Sequence, residues 1–287
     1  EMDHPLRSDD NKELRGRVVH ILKNGFSILR QSNIVFVCGG NERTHMRWRF
    51  ERVFQKLLPD YEFFKPEFAM KNYFTLGDSE PFDIADFESL VGDLSLAIVL
   101  FPEAPGSFAE LGYFSGQPSL AGKIVLAMDA NHQRSDSFIS LGPATKIAKA
   151  SIFQPTIQLN YKSPDFRLVS TRIKERAKLK ERKRRFEPTD FAGMGAFELF
   201  ALVHKLVELL VIATGDDIES LLRGMFGSHL TPSDVKKIIS ILIGSGRLIE
   251  VGDFGHLAVK GGKEHTLVLQ DGFKSSLLEL KVEISAV

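Results

Sequence analysis

Short runs of apolar residues, separated by helical patterns, constrain the fold of this chain more than any other feature. The runs lie at residues 33–40, 61–64, 94–101, 123–128 and 156–159. Runs of this length are typical of strands buried on both faces, and the intervening segments, such as 43–58, carry apolar residues at helical spacing. Strands that alternate with helices predict a parallel sheet covered on both sides. We therefore predict that residues 30–160 form a small doubly wound α/β domain.

The composition limits the class of protein. A hydrophobic content of 43% and a charged content of 26% are those of a soluble globular protein. Lys plus Arg equals Asp plus Glu at 37 each, so net charge indicates no partner. The single cysteine rules out an internal disulfide framework, and the histidines lack metal-ligand spacing, which predicts no metal. No apolar run approaches a membrane span, so we expect a cytoplasmic protein without a membrane segment.

Two segments follow predicted strands and are candidates for ligand binding. In an open α/β sheet, ligands bind beyond the carboxyl ends of the strands. The first segment is the glycine turn, residues 38–41, where glycines allow the backbone to approach a ribose or a phosphate. A tight turn without a ligand explains the same glycines. The full Gly-x-Gly-x-x-Gly fingerprint is absent, so the sequence does not predict a classical NAD-binding fold.

The second segment runs from Pro102 through Ser107 into a helix predicted from about residue 108. Glu110 would then lie in the first helical turn, where the helix N-terminus favours negative charge. Ser107 and Glu110 also have the spacing of a capping box. From position alone, Glu110 is therefore either a capping residue or a catalytic carboxylate.

The stretch Gly106–Tyr113, which reads Gly-Ser-Phe-Ala-Glu-Leu-Gly-Tyr, resembles the signature of the nucleoside deoxyribosyltransferase family. The resemblance implies that Glu110 attacks or stabilises the anomeric carbon of a ribose-type sugar. It also implies that Asp83 or Asp86 contacts the base or donates a proton, and that Glu103 is a further acidic site residue. Together with the glycine turn, this gives the candidate substrate-binding residues Cys38, Gly39, Gly40, Asn41, Glu103, Gly106 and Ser107.

Residues 172–185 hold nine basic and two acidic residues, which marks a break in composition. The segment is either a solvated helical connector or a phosphate-binding surface that faces nucleic acid. The candidate nucleic-acid-binding residues, including two from a later helix, are Arg176, Lys180, Arg182, Lys183, Arg184, Arg185, Lys236 and Lys237.

Beyond Pro188 the pattern predicts three helices and a hairpin, an order that resembles a winged helix. The helices are predicted at about 195–213, from Asp216 or Asp217 to 226, and from a Thr231 cap to 244; the strands are predicted at Arg247–Val251 and His256–Val259. Winged helices bind either DNA or protein, and the sequence leaves both open.

The whole chain resembles retron effectors that join a deoxyribosyltransferase-like domain to a winged helix. This implies an N-glycosidase that takes NAD as substrate, needs no cofactor, and acts as a toxin in antiviral defence. It also implies a retron reverse transcriptase and its branched RNA-linked single-stranded DNA (msDNA) as partners, and a homo-oligomer. The predicted domains are a catalytic domain (1–165), a basic helical connector (166–189) and a winged-helix-like domain (190–287). The alternatives are a nucleoside or nucleotide deoxyribosyltransferase or hydrolase, and a non-enzymatic DNA-binding adaptor.

Overall fold

The protein is described by a computed structural model at residues 4–29, 31–65, 67–69, 84–131, 136–177, 183–188, 193–227, 232–261 and 266–286. The chain divides into two compact units. The sheet unit contains residues 31–65 and 84–177, and the helical unit contains the described residues of 4–29, 67–69 and 183–286.

The helices and strands are named in chain order. The helices are α1 Lys12–Asn24, α2 Met46–Leu57, α3 Ile84–Leu94, α4 Pro105–Ser115, α5 Pro118–Ala121, α6 Thr145–Ala150, α7 Arg167–Arg176, α8 Ala196–Leu210, α9 Gly215–Phe226, α10 Pro232–Gly244 and α11 Lys274–Ala286. The strands are β1 Phe26–Leu29, β2 Ile34–Cys38, β3 Glu62–Phe64, β4 Ala97–Leu100, β5 Ile124–Asp129, β6 Ile157–Leu159, β7 Lys183–Arg185, β8 Leu248–Val251, β9 His256–Val259 and β10 Leu267–Leu269.

The sheet unit is built on five parallel strands in the order β3-β2-β4-β5-β6. The chain leaves β2 toward one edge to make β3, and then returns to the other side of β2 to make β4. The strand order therefore reverses between β2 and β4, which makes their carboxyl ends the expected ligand site. The predicted parallel α/β sheet over 30–160 is confirmed.

Phenylalanines explain why the two central strands are so completely buried. Every residue of β2 and β4 is buried, as expected for parallel strands covered on both faces. On the face covered by α2 and α7, the ring of Phe50 lies 5.8 Å from that of Phe101 and 5.2 Å from that of Phe166. On the other face the ring of Phe36 lies 6.2 Å from that of Phe114 in α4. These contacts hold α2 and α4 against the strands whose ends they flank.

One predicted boundary in this unit is wrong. The helix after β4 begins at Pro105, not near residue 108, since proline is favourable at the first helical position and Ser107 satisfies the N-terminal backbone groups. Among the described residues, no helix is long and apolar enough to cross a membrane.

The helical unit contains α8, α9 and α10 followed by the β8–β9 hairpin, and Ala213 adds one antiparallel bridge to Leu257. The predicted helices and hairpin are present within a few residues of their expected ends. The start of α9 is capped by Thr214, not by Asp216 or Asp217, because the Thr214 hydroxyl accepts from the Asp217 N–H. The predicted Thr231 cap lies outside the described residues.

Two features of the helical unit differ from the sequence-based division. Residues 4–29 belong to it, and not to the sheet unit, because β1 pairs antiparallel with β10 and with β7. The connector predicted at 166–189 is only partly helical. Helix α7 ends at Arg176, and residues 183–185 form β7.

The carboxylate of Asp217 connects the start of α9 to the N-terminal segment. It accepts from the Thr214 N–H at 2.9 Å and from the His4 N–H at 3.0 Å, and it pairs with Arg7 at 3.3 Å. Burial opposes ionisation, but these hydrogen bonds outweigh it and hold the pKa of Asp217 below its usual value.

We expect Asp217→Asn to lower the free energy of unfolding by about 1–3 kcal/mol at pH 7, because an amide leaves charged and polar donors unsatisfied. A depressed pKa stabilises the fold above the unfolded-state value of about 3.9, and that contribution is lost as pH falls below it. The gap between variant and wild type in urea unfolding should therefore narrow below about pH 4. Asp216→Asn, at the exposed neighbouring residue, is the matched control. An equal loss in both variants would contradict the assignment.

Candidate active site

The two segments singled out from the sequence lie at the carboxyl ends of neighbouring strands. The glycine turn follows β2, and the segment 101–107 follows β4, so both flank the point where strand order reverses. Cys38 itself is the last residue of β2 and is buried. The structure therefore brings the predicted site segments together.

Glu103 connects these two segments through its carboxylate. Its Oε1 accepts from the Gly40 N–H at 3.0 Å, and both oxygens accept from the Met46 N–H at 2.9 and 2.8 Å. The Arg47 N–H lies 3.5 Å from Oε1. Met46 and Arg47 are the first two residues of α2, so Glu103 occupies the N-terminus of that helix.

The two glycines of the turn are required by close contacts within the protein. A Cβ on Gly39 would lie 2.9 Å from the Cβ of Arg47 and 3.0 Å from the Glu103 carboxylate. A Cβ on Gly40 would overlap the imidazole ring of His45. Asn41 is exposed, and its side-chain oxygen accepts from the buried Arg47 guanidinium. Tight internal packing, the alternative to a ligand, is sufficient to explain both glycines.

Ser107 makes the N-terminal contacts of α4. Its Oγ accepts from the N–H groups of Glu103 and Ala104, both at 3.0 Å, and donates to the Ala104 carbonyl at 2.9 Å. The residue is buried, at 2% exposure, so it faces the protein and not the open end of the sheet. The proposed pairing of Ser107 with Glu110 in a capping box is wrong, because α4 starts at Pro105.

Glu110 therefore lies in the second turn of α4. Its Oε2 atom is excluded from solvent, although the residue as a whole is only partly buried. Gly106 precedes it by four residues, which places the two on one helix face. Among the described residues nothing lies within 4 Å of a Cβ built on Gly106, so this glycine is not required by packing. Within the described part of the chain, the position one turn before Glu110 is therefore open.

Helix α3 approaches the same face of α4. The hydroxyls of Ser89 and Tyr113 are 3.0 Å apart. Asp86 and Glu110 each precede one of these residues by three positions, and crossover helices of one parallel sheet run in the same direction. We therefore expect Asp86, which is exposed, and Glu110, which is partly buried, to lie near each other, one turn before the Ser89–Tyr113 contact. Asp83 lies outside the described residues.

Comparison with known proteins bears on what this arrangement does. The model of the STM3845 retron effector protein family matches residues 43–250, which is well over half of the chain. The chain belongs to this family.

Two curated relatives from Escherichia coli are similar to this retron effector. It is 32% identical over 152 residues to the "Retron Ec86 putative ribosyltransferase/DNA-binding protein", covering 52% of this chain and 47% of the relative. It is 28% identical over 121 residues to the "Retron Ec73 putative ribosyltransferase/DNA-binding protein", covering 41% of this chain and 38% of the relative. The chain thus spans less than half the length of the relatives that it matches.

Tyr161 is a residue of this retron effector that the sequence patterns did not indicate. It follows β6, and its hydroxyl donates to the Ala127 carbonyl of β5 at 2.8 Å. Burial raises its pKa well above the usual range, and the nearby carboxylates of Glu103 and Asp129 raise it further. Its own carbonyl accepts from Arg49 at 2.6 Å. The neutral Tyr161 phenol thus lies near the carboxylates of Glu103 and Asp129. Strand order brings these residues together, so no local sequence motif indicated Tyr161.

The described candidate nucleic-acid residues are divided between the two units, with Arg176 in the sheet unit and the others in the helical unit. Arg176 is exposed at the end of α7, Lys236 and Lys237 are partly buried in α10, and Lys180 and Arg182 lie outside the described residues. Arg184 pairs with Glu198, and Arg185 pairs with Glu187 at 2.9 Å. Two of the predicted cations are therefore partly neutralised within the chain.

We expect Ser107→Ala to destabilise the effector by about 1–2 kcal/mol, because the N–H groups of Glu103 and Ala104 lose their acceptor. Ser115→Ala removes the same hydroxyl from the other end of α4, where it donates only to a carbonyl of its own helix, and it should change stability by less than about 0.5 kcal/mol. Urea unfolding of both variants measures the difference. Equal midpoints would mean that Ser107 does not hold the start of α4.

Proposed function

We propose that this retron effector is an N-glycosidase that releases nicotinamide from NAD, with Glu110 as the catalytic carboxylate and Asp86 as its acidic neighbour. The observation that carries the proposal is the position of Glu110. It stands in the second turn of the helix that follows β4, next to the reversal of strand order, while Ser107 makes the capping contacts. The capping role that competed with catalysis is thus taken by another residue.

The chemistry of the bond suits a carboxylate in this setting. As the bond from the ribose carbon to the nicotinamide nitrogen breaks, its electron pair goes to the nitrogen, and positive charge develops on the sugar. The ionised carboxylate of Glu110 stabilises that charge, either as an ion pair or through a covalent bond to the carbon. Water then supplies the oxygen of the product and releases one proton. Exclusion of Oε2 from solvent supports this role, because charges interact more strongly away from water.

NAD is the substrate that demands least from the neighbouring residues. Its nicotinamide is already cationic and leaves as a neutral molecule, so no general acid is required. A purine nucleoside needs protonation of its base, which would fall to Asp86. Both Escherichia coli relatives carry the name ribosyltransferase, which supports transfer or hydrolysis at a ribose carbon. Base exchange with added free purine would identify a transferase and not a hydrolase.

The helical unit is proposed to be a winged helix that attaches the effector to its restraining partners, the retron reverse transcriptase and msDNA. Support comes from the order of three helices and a hairpin, and from the bridge of Ala213 to Leu257. The hairpin exposes Phe254 at 73% and carries Glu250 and Asp253, which favours contact with protein over DNA phosphates.

A second copy of the chain is a further proposed partner. Phe138 and Leu141 are exposed at 84% and 66%, and the short π-helix Ser140–Ala144 packs against α4. An exposed apolar surface next to α4 favours an oligomer in which the catalytic domains of two copies pack against each other.

We expect Glu110→Gln to reduce nicotinamide release from NAD by at least about 100-fold, because an amide cannot stabilise the developing charge. The side chain keeps its size, so NAD binding and thermal stability should persist. Nicotinamide release by the purified chain, with and without the proposed retron partners, is followed by NMR. Glu175→Gln, at an exposed residue of α7, is the matched control. Undiminished release in Glu110→Gln would refute the assignment.

Gly106→Ala tests whether substrate approaches Glu110 across the open position. The new methyl group meets no described residue, and alanine favours a helix over glycine by up to about 1 kcal/mol, so the fold should be unharmed. We expect KM for NAD to rise about tenfold, the effect of losing roughly 1.4 kcal/mol of binding. Gly112→Ala adds the same group at an equally open position on another face of α4. An equal KM for NAD in the two variants would show that the substrate does not approach Glu110 across Gly106.

A further inference from the structure

The glycine turn and the start of α2 present backbone N–H groups of the kind that bind phosphate in open α/β proteins. In this chain those groups are already engaged. The N–H groups of Gly40 and Met46 donate to the Glu103 carboxylate at 2.8–3.0 Å, and that of Arg47 lies at 3.5 Å. A residue from the neighbouring strand end therefore supplies the anion that this position favours.

The side chains around the turn fit an internal anion. A Cβ on Gly39 would lie 3.0 Å from the Glu103 Oε1, so glycine is needed for the carboxylate to approach the backbone. A phosphate at the same N–H groups would have to displace Glu103 and would meet its negative charge. The phosphate-binding explanation of the glycines thus conflicts with the position of Glu103.

The backbone of Glu103 is held as firmly as its side chain. Its N–H donates to the Ser107 Oγ at 3.0 Å, and Ser107 lies in the helix that carries Glu110. One residue thus connects the first turn of α2, the glycine turn and the start of α4. The length and charge of the Glu103 side chain therefore set the position of the glycine turn relative to α4, the helix that carries Glu110.

We propose that Glu103 is a positioning residue: its carboxylate fills the anion position of the glycine turn, so that the turn meets an uncharged part of the substrate and not a phosphate. The substrate part of this inference rests on the proposed N-glycosidase function. The internal-anion part does not. The positioning role differs from the role that the family resemblance implies for Glu103, which is direct contact with the substrate.

Removal of the carboxylate should create an anion site that the wild type lacks. In Glu103→Ala of the full chain, we expect the melting temperature to fall by roughly 4–10 °C. Sodium sulfate or phosphate should restore a large part of this loss, relative to chloride at equal ionic strength. Wild type should respond less to the same salts. Glu42→Ala, at an exposed residue near the same turn, should show neither the loss nor the selective recovery.

Two results would overturn the internal-anion assignment. One is a melting temperature for Glu103→Ala within about 1 °C of wild type, and the other is the same gain from sulfate in all three proteins. If Glu103→Ala does not fold, Glu103→Gln carries the test. Its amide fills the position without a charge, so it should melt below wild type and show no selective gain from sulfate. Wild-type stability in this variant would equally overturn the assignment.

Kinetics separates positioning from general stabilisation. Glu103→Gln should raise KM for NAD about tenfold and leave kcat within about threefold, whereas loss of the Glu110 carboxylate lowers kcat. A fall in kcat as large as that of Glu110→Gln would place Glu103 among the reacting groups and refute the positioning role. If the wild type releases no nicotinamide, the N-glycosidase function fails, while the salt-dependent melting still decides what Glu103 does.

Discussion

The hydrogen bonds between Glu103 and the first turn of α2 are the interaction on which the site depends. Parallel strands are joined by helices that cross the sheet, so the turns at their carboxyl ends are far apart along the chain even when they are adjacent in space. Glu103 and Gly40 are 63 residues apart and meet at 3.0 Å. Without such a contact, only the sheet itself would set the distance between the two strand ends.

The division of roles among the acidic residues follows from where helices begin. Glu103 lies at a helix N-terminus, where charge satisfies backbone donors and is stabilised by the helix dipole. Glu110 lies one turn further into its own helix than the sequence suggests, so it is not needed as a cap. Glu103, for which the family resemblance implies a substrate contact, thus accepts from backbone N–H groups. Glu110, whose sequence position also suggested a cap, lies one turn after Gly106, where an added Cβ would meet no described residue within 4 Å.

The sheet was predictable because burial on both faces leaves a strong signal, namely continuous apolar runs separated by helical periods. The position of the candidate site was inferred from that sheet, since ligands bind where strand order reverses. The partners of Glu103 and Tyr161 were not predictable, because each depends on contacts between distant segments. The inclusion of residues 4–29 in the helical unit was missed for the same reason: β1 pairs with β7 and β10 from the other end of the chain.

The charge of residues 172–185 shows a related limit of prediction from sequence. A count along the sequence treats nine cations as one surface, but a strand points successive side chains to opposite faces. In β7, Arg184 and Arg185 accordingly reach different carboxylates, Glu198 and Glu187. Partial neutralisation weakens the case for a phosphate-binding stripe. It leaves the exposed apolar hairpin around Phe254 as the better candidate for attachment of the effector to a partner.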